Sequence, residues 1–238
     1  MSAKKTDFIV MDLISKIYQN RFFNYKLPTQ RDLAFAYNVS RFTIQKVLKK
    51  LRAIGLVDFI QGNGIYIRER ALGNPLVYNS LTEVSYEDLR SKVRYLKKVK
   101  VGPDLAKIFN LTEDGLLWEF QRIRIVNYEI SQLETAYMPY HLFPNLTTEA
   151  IEDSIQDYVL KQKYQISYFM TSYKARTLSR DEAAIMNVKK GSPSMRITSR
   201  GLLKDGSIFI FSNITAINYE CTYIIPFNKQ VFQSRRKK

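Results

Sequence analysis

Residues 27–55 read LPTQRDLAFAYNVSRFTIQKVLKKLRAIG and decide the fold of the first part of the chain. Thr29 and Ser40 are residue types that favour helix N-caps, and each stands directly before a segment with apolar residues at helical spacing. In the second segment these apolar residues are Ile44, Val47, Leu48 and Leu51. The pattern predicts helices over 30–37 and 41–54, a tight turn at 38–39, and Gly55 as the residue that ends the second helix.

The flanking segments complete a small domain. Apolar residues at helical spacing predict an amphipathic helix over 5–19: Val10, Leu13, Ile14 and Ile17. Two β-rich runs, 56–60 and 65–68, flank the turn Gln61-Gly62-Asn63-Gly64, which predicts a hairpin. Three helices and a hairpin, with a tight turn between the second and third helices, describe a winged helix-turn-helix.

The charge of the chain is concentrated near its ends. The 238 residues carry a net charge of +15. Residues 1–70 hold 13 basic and five acidic side chains, and residues 235–238 are all basic, which leaves only +3 for residues 71–234. Nucleic acid is a natural partner for such a basic segment, although a solvated basic surface would have the same composition. The first turn of the third helix, residues 40–43, would face base edges and phosphates in a major groove.

The composition excludes several classes of protein. One cysteine and one histidine, Cys221 and His141, exclude an internal disulfide and any mechanism or metal site that needs two of either residue. We therefore predict no catalytic residue, no metal site and no cofactor. No apolar run is long enough to span a membrane, and acidic residues near the N-terminus make it a poor signal peptide, so we expect a cytoplasmic protein.

The first seventy residues resemble the GntR repressor family. The resemblance is carried by LPTQRDLA at 27–34, NVSRFTI at 38–44, LRAIGLV at 51–57 and QGNG at 61–64, in this order and spacing. It implies operator contacts by Arg31, Ser40, Arg41, Thr43 and the wing glycines. The full set of predicted DNA-binding residues is Thr29, Arg31, Ser40, Arg41, Phe42, Thr43, Gln45, Lys46, Gln61, Gly62, Asn63 and Gly64. Gln45 stands where many members have arginine, and glutamine pairs with adenine where arginine prefers guanine.

The remaining chain alternates helices and strands. We predict a winged-helix domain over 1–70, a linker over 71–80 around Gly73-Asn74-Pro75, and a second domain over 81–234. Helices are expected at 103–110, 148–163 and 179–187, and strands at 116–125, 132–138, 166–178, 195–204 and 208–217. Residues 106–122 and 184–200 form an approximate repeat of helix, Asn, Gly and strand. Two such halves around one antiparallel sheet predict an α+β domain with a central cavity.

This second part resembles the UTRA ligand-sensing domain of the HutC subfamily, whose fold is similar to that of chorismate lyase. The resemblance is carried by Arg122-x-Arg124, Glu134-x-x-Tyr137-x-Pro139, Leu178-Ser179 and Gly191-x-Pro193. The fold class that it implies for the whole chain is α+β, with a winged helix-turn-helix followed by an antiparallel-sheet effector-binding domain.

Candidate effector-binding residues follow from the strand pattern and from the resemblance. Arg122 and Arg124 alternate along one strand, so they leave the same face and could hold a phosphate or carboxylate, or could be a solvated pair on an outer face. The resemblance favours the first reading and implies that Glu134 accepts hydrogen bonds from a sugar. It also implies effector contacts at Ser167 and the adjacent Tyr168. Ile210 stands where several members carry glutamate, which favours a neutral or phosphorylated glucoside over an amino sugar.

The sequence therefore predicts a DNA-binding transcriptional regulator, with the function of a repressor. We expect a homodimer on double-stranded operator DNA, controlled by a small effector of the sugar phosphate class. Two alternatives stay open: a lyase-like enzyme on the chorismate-lyase fold, and a constitutive DNA-binding protein without an effector.

Overall fold

The computed structural model describes residues 2–68, 76–79, 81, 84, 88–225, 227, 229 and 232–233. The chain divides into two compact units, one of Met1–Ser85 with Glu220–Lys238 and one of Tyr86–Tyr219. The predicted linker centre at 73–75 and the basic tail at 235–238 lie outside the described residues. The domain limits 1–70 and 81–234 stay a prediction. In the structure, residues 220–225 belong to the unit of the first helices.

The first unit contains three α-helices and short strands among its described residues. Its elements are α1 (Ser2–Tyr18), a 3-10 turn (Phe23–Tyr25), β1 (Lys26–Leu27), α2 (Gln30–Ala36), α3 (Arg41–Ala53), β2 (Val57–Ile60), β3 (Gly64–Ile67), β4 (Leu76–Asn79) and β11 (Cys221–Ile224). An antiparallel sheet has the order β1-β3-β2, and β4 pairs with β11. The winged helix-turn-helix is thus confirmed.

Local sequence signals place the two helices of the helix-turn-helix. The Thr29 hydroxyl accepts the Asp32 N–H (3.3 Å) and the Ser40 hydroxyl accepts the Thr43 N–H (3.2 Å), so both predicted N-caps are present. Gly55 has a φ of +82°, which lets α3 end in the left-handed conformation that favours glycine. The predicted inward face of α3 is fully buried: Ile44, Val47, Leu48 and Leu51.

The second unit is a six-stranded antiparallel sheet with four helices among the described residues. Its elements are β5 (Leu89–Lys100), α4 (Pro103–Phe109), β6 (Leu116–Val126), β7 (Glu129–Pro139), α5 (Thr148–Glu152), α6 (Ile155–Lys161), β8 (Ile166–Thr177), α7 (Arg180–Met186), β9 (Pro193–Leu203) and β10 (Ile208–Ala216). The strand order is β5-β6-β7-β10-β9-β8.

The predicted internal repeat is confirmed. One half runs β5-α4-β6-β7 and the other β8-α7-β9-β10, and the two halves meet where β7 pairs with β10. Both α4 and α7 end at an asparagine in the left-handed conformation, Asn110 (φ +52°) and Asn187 (φ +56°). The sheet is therefore built from two similar units placed symmetrically about its centre.

One expectation for this unit is wrong, and one strand was not expected. The helix predicted over 148–163 is two helices, because Asp153 leaves helical geometry (ψ −91°) and Ser154 caps a new helix by accepting the Asp157 N–H. Strand β5 was not predicted, because six basic residues mask its apolar alternation and a register shift between Val93 and Tyr95 interrupts it.

The two faces of the sheet carry different helices. Phe120, Ala136 and Met138 form one buried cluster with residues of α5 and α6, and we call this side the α5 face. On the opposite side, Leu117 packs with α4 and Leu133 packs with α7. This division decides which strand residues can share a site.

One glycine of the sheet is required by close packing. A Cβ on Gly201 would lie 2.6 Å from the ring of Phe209, which is fully buried. We expect Gly201→Ala to lower the free energy of unfolding by about 1–3 kcal/mol, because the ring has no space to retreat. Thermal unfolding of the single variant and of Gly201→Ala with Phe209→Leu would test this. If the double variant loses as much free energy of unfolding as Gly201→Ala and Phe209→Leu lose together when made singly, a clash between the new Cβ and the Phe209 ring is not the cause.

Candidate DNA interface and effector site

The outer face of α3 offers polar, basic and aromatic side chains to solvent. Arg41, Phe42, Gln45 and Lys46 are exposed, while the opposite face of the same helix forms the core of the unit. The Lys46 ammonium lies 4.6 Å from the centre of the Phe42 ring. The ring is 64% exposed, so it presents an apolar surface beside a cation, as contact with a thymine methyl group and a phosphate would need.

The other predicted DNA-binding residues also lie on the surface of this unit. Thr29, Arg31, Ser40 and the hairpin turn 61–64 are exposed, whereas Thr43 is half-buried beside the hydroxyl of Ser40 (3.0 Å). Gly62 and Gly64 have φ values of +73° and +123°, which the tight wing turn requires.

Ion pairs hold the elements that carry this surface. Lys50 of α3 binds Asp7 of α1 (2.8 Å), and Arg68 binds Asp58 through two hydrogen bonds of 2.6 Å next to the wing. The Arg68 hydrogen bond lowers the pKa of Asp58. These acids are thus paired away from the outer face of α3, whose positive charge is left for a polyanion.

A buried ion pair forms the centre of the second candidate site. Arg122 of β6 and Glu134 of β7 stand directly opposite each other and are each 4% exposed. The Arg122 Nε donates to Glu134 Oε2 (2.6 Å), and its Nη1 donates to the Ile151 carbonyl of α5 (2.7 Å). The Ser212 hydroxyl of β10 donates to the other carboxylate oxygen (2.8 Å). Three strands and a helix therefore meet at one carboxylate and one guanidinium.

Glu134 is ionised in this setting. Burial by itself would raise the pKa of Glu134, but the charges of Arg122 and Arg124 and the hydrogen bonds from Arg122 and Ser212 outweigh it, so the pKa lies below its ordinary value. Both carboxylate oxygens already accept a hydrogen bond from the protein.

Arg124 shares the face of Arg122, as the alternation predicted. The two residues align with Glu134 and Gln132 of β7 in one continuous register, and Arg122 reaches α5, so both belong to the α5 face. The alternative of a solvated outer pair is wrong for Arg122, which is buried.

Ser167 and Tyr168 do not join this cluster. The row of the sheet that contains Glu134 reaches β8 at Tyr173, by way of Ile214 and Ile197. Ser167 lies six residues from Tyr173, three strands away from β7, and Tyr168 is 73% exposed. The structure does not bring these two residues to Arg122 and Glu134, because strand pairing sets them at the far corner of the sheet. Their effector contacts stay a prediction.

Sequence reasoning missed Ser212, Ser199 and Thr171. Ser212 aligns with Ser199 of β9, which aligns with Thr171 of β8, and the last two hydroxyls are 3.1 Å apart. With Ala136 of β7, they form a row of small side chains across the α5 face beside the ion pair. The only signal in the sequence was a polar residue directly after the apolar run 208–211, and it did not indicate a partner 78 residues away.

A second ion pair lies on the opposite face of the sheet. Arg176 of β8 binds Glu182 of α7 (2.8 Å for Nη1 to Oε2), and Thr215 of β10 donates to the same carboxylate (2.8 Å). The hydrogen bonds from Arg176 are the largest cause that lowers the pKa of Glu182 to about 2. The pair therefore fixes the start of α7 to two strands.

This pair predicts a pH-dependent contribution to stability. Because the pKa of Glu182 is lower in the folded chain than the ordinary 4.5, its contribution is complete above about pH 4.5 and is lost as the pH falls toward 2. We expect Glu182→Gln to lower the free energy of unfolding by about 1–2 kcal/mol at pH 7, and by clearly less at pH 3. Chemical denaturation at both pH values measures this, with Asp181→Asn as the control. An equal deficit at both pH values would contradict it.

The described residues contain no group of three or more potential metal ligands, and none of their helices is long and apolar enough to cross a membrane.

These two units together define a class: DNA-binding proteins in which a winged helix-turn-helix precedes an α+β sensing domain. Comparison with known families shows to which family of this class the chain belongs. The profile of the UTRA domain matches residues 86–216, and that of the bacterial regulatory proteins of the gntR family matches residues 5–67. The chain belongs to the gntR family of bacterial regulators that carry a UTRA domain.

Relatives and solved structures agree with this assignment. The chain is 26% identical over 202 residues to the mannosyl-D-glycerate transport/metabolism system repressor MngR of Escherichia coli (strain K12). This alignment covers 78% of this chain and 80% of MngR. The chain is also 23% identical over 192 residues to the transcriptional repressor NagR of Bacillus subtilis (strain 168). This alignment covers 77% of each of the two chains.

The structure also resembles that of the possible transcriptional regulator YydK from Bacillus subtilis, with a TM-score of 0.59 and 24% identity over 93% of this chain and 99% of YydK. The predicted fold class is confirmed.

Proposed function

We propose that this protein is a repressor that binds operator DNA as a homodimer in the cytoplasm and is controlled by a phosphorylated sugar or glucoside in its second unit. The observation that carries the DNA-binding half is the solvent-facing side of α3, where Arg41, Phe42, Gln45 and Lys46 are exposed around a buried core face. The names of MngR, of NagR and of the fructoselysine utilization operon repressor of Escherichia coli support the role of repressor.

The buried cluster favours an anionic effector. Arg122 and Arg124 lie on the same face of the sheet beside Glu134. Two guanidinium groups on one face are the groups that hold a phosphoryl or carboxylate group by charge-assisted hydrogen bonds. The hydroxyl side chains of Ser212, Ser199 and Thr171 lie in one row of the same face and are groups with which a sugar can form hydrogen bonds.

Glu134 has a different part in this proposal from the one that the sequence implied. Since both of its oxygens accept hydrogen bonds from Arg122 and Ser212, it orients the guanidinium rather than serving as the first acceptor for sugar hydroxyls. Arg122 and Arg124 are the groups that we expect to touch the anion.

We infer that the site binds a ligand and does not catalyse a reaction. A general acid at neutral pH needs a raised pKa, whereas the pKa of Glu134 is lowered and its oxygens are already hydrogen-bonded. His141 is exposed and stands apart from the cluster, at the end of β7. A constitutive DNA-binding protein would not need this buried charged cluster, which costs desolvation energy.

Selection of DNA from a random pool tests the proposal. The purified full-length chain should enrich one sequence motif, as two inverted half-sites about one helical turn apart, because a two-fold symmetric dimer presents two α3 helices. Affinity for this motif should fall steeply with salt concentration. If no motif is enriched at moderate ionic strength, with or without sugar phosphates present during selection, the proposal is wrong.

A further inference from the structure

The three-stranded sheet of the first unit has one buried face and one solvent face. Leu27 and Ile65 stand opposite each other and belong to the hydrophobic core of the unit. Because side chains alternate along a strand, Lys26 and Tyr66, the next pair of the same ladder, lie on the solvent face. The wing turn adjoins this pair, since β3 begins at Gly64. The pair therefore lies next to the part of the wing that a DNA groove would receive.

Tyr66 fixes the side chain of Asn63 in the wing turn. The Tyr66 hydroxyl donates a hydrogen bond to Asn63 Oδ1 (2.9 Å), and the backbone N–H of Asn63 closes the turn on the Ile60 carbonyl (3.0 Å). Because the amide oxygen faces Tyr66, the Nδ2 amino group, which has two donor hydrogens, is turned away from it. Asn63 is exposed, so the wing presents an oriented hydrogen-bond donor to solvent.

Lys26 adds a positive charge beside the same turn. Its side chain is exposed, and its ammonium lies 5.3 Å from the centre of the Tyr66 ring. A Cβ on Gly64 would lie 2.9 Å from Lys26 Cε, so the lysine side chain runs directly over the backbone of the wing. The acid on the other side of Tyr66 is Asp58, which Arg68 holds by two hydrogen bonds. The charge of Lys26 is therefore placed where a phosphate beside the wing could meet it.

We propose that Tyr66 is a positioning residue that makes Asn63 read A·T pairs in the minor groove, while Lys26 binds the phosphate backbone next to them. In the minor groove, adenine N3 and thymine O2 are acceptors, whereas a G·C pair adds the guanine N2 amino group, which is a donor. The amino group of Asn63 can donate to an A·T pair but meets another donor at G·C. The orientation that Tyr66 imposes on the amide thus selects against G·C at this position.

The role of Tyr66 rests on the proposed function, because a wing can read base pairs only in a protein that binds DNA. It deepens that function by assigning part of the operator preference to the wing and not to α3 alone. A wild type that enriches no motif would refute the proposed function. A motif without a minor-groove preference for A·T beside the steps read by α3 would refute the role of Tyr66 and leave the proposed function intact.

Operator duplexes with an exchanged base pair test the proposal. In the selected motif, each A·T pair beside the steps read by α3 is replaced in turn by G·C and by inosine·cytosine, which has the major-groove edge of G·C but lacks the N2 amino group. At the wing position the full-length wild type should bind the inosine duplex as tightly as the A·T duplex, and the G·C duplex about 5-fold more weakly, the worth of one hydrogen bond. Anisotropy measures all three affinities. If no position separates G·C from inosine·cytosine, the proposal is wrong.

Tyr66→Phe tests the part of the hydroxyl. The substitution removes the hydrogen bond to Asn63 and keeps the ring beside Lys26, so the difference between the G·C and inosine duplexes should disappear. Asn63→Ala should abolish the same difference. Tyr128→Phe is the matched control, since Tyr128 is 95% exposed in the β6–β7 turn and should keep the difference. A difference that persists in Tyr66→Phe would overturn the role of Tyr66.

Lys26→Ala tests the phosphate contact separately. It should weaken binding to all three duplexes by the same factor and reduce the slope of log affinity against log salt concentration by about 1. Lys26→Arg should restore both, because it keeps the charge. A merely structural loss would weaken binding without a change in the slope. An unchanged slope in Lys26→Ala would therefore remove Lys26 from the DNA interface.

Discussion

Replacing Glu134 by glutamine is expected to lower the free energy of unfolding by about 3–5 kcal/mol. The substitution leaves the guanidinium of Arg122 buried without a counter-charge, and breaking a buried pair on one side has a cost of this size. The loss should appear in the unfolding transition of the second unit, measured by chemical denaturation. An unchanged midpoint would mean that water reaches the pair and that its burial does not matter.

The double variant Glu134→Leu with Arg122→Met separates structure from function. Exchange of a whole buried pair for apolar residues is often neutral for stability, so the double variant should recover most of the loss. It should nevertheless fail to respond to an anionic effector, because the guanidinium is gone. A double variant that still responds would remove Arg122 from the effector site.

Replacing Arg41 by alanine is expected to weaken operator binding by about 1–3 kcal/mol, or roughly 5- to 150-fold. Arg41 is exposed at the first turn of α3, directly after the Ser40 cap, so truncation should leave the helix intact. Fluorescence anisotropy with a labelled operator duplex measures the change, and circular dichroism verifies the fold.

Lys190→Ala is the matched control for Arg41→Ala. It removes the same charge from an exposed position in the second unit, before β9. Its operator affinity should change little, whereas Arg41→Ala should also lose discrimination between the operator and random duplex. If both variants weaken binding equally, net charge and not a groove contact explains the effect of Arg41.

The first unit could be predicted closely because its signals are local. Thr29, Ser40 and Gly55 each act on the helix beside them, and the apolar stripe of α3 is visible in thirteen consecutive residues. The short strands β1, β4 and β11 were not predicted, because two to four residues carry no periodicity and their partners lie far along the chain.

For the second unit, the sequence predicted the fold class and the internal repeat but not the contacts between side chains of different strands. The alternation of Arg122 and Arg124 correctly predicted a shared face, since that is a property of one strand. Which strand stands next to which depends on pairings over long distances. For that reason Ser212 was missed as a partner of Glu134, and the sequence could not show that Ser167 lies apart from Glu134 on the sheet.

We propose that occupancy of the cluster around Arg122 controls DNA binding by α3. The direct measurement is anisotropy of the selected operator duplex, titrated with phosphorylated sugars and glucosides, for the wild type and for the double variant Glu134→Leu with Arg122→Met. We expect one of these ligands to shift the operator affinity of the wild type, whereas the double variant should bind the operator normally but not respond to the ligand. The proposal would be contradicted by a ligand that shifts the operator affinity of both proteins equally. It would also be contradicted if no anionic sugar changed the operator affinity of the wild type.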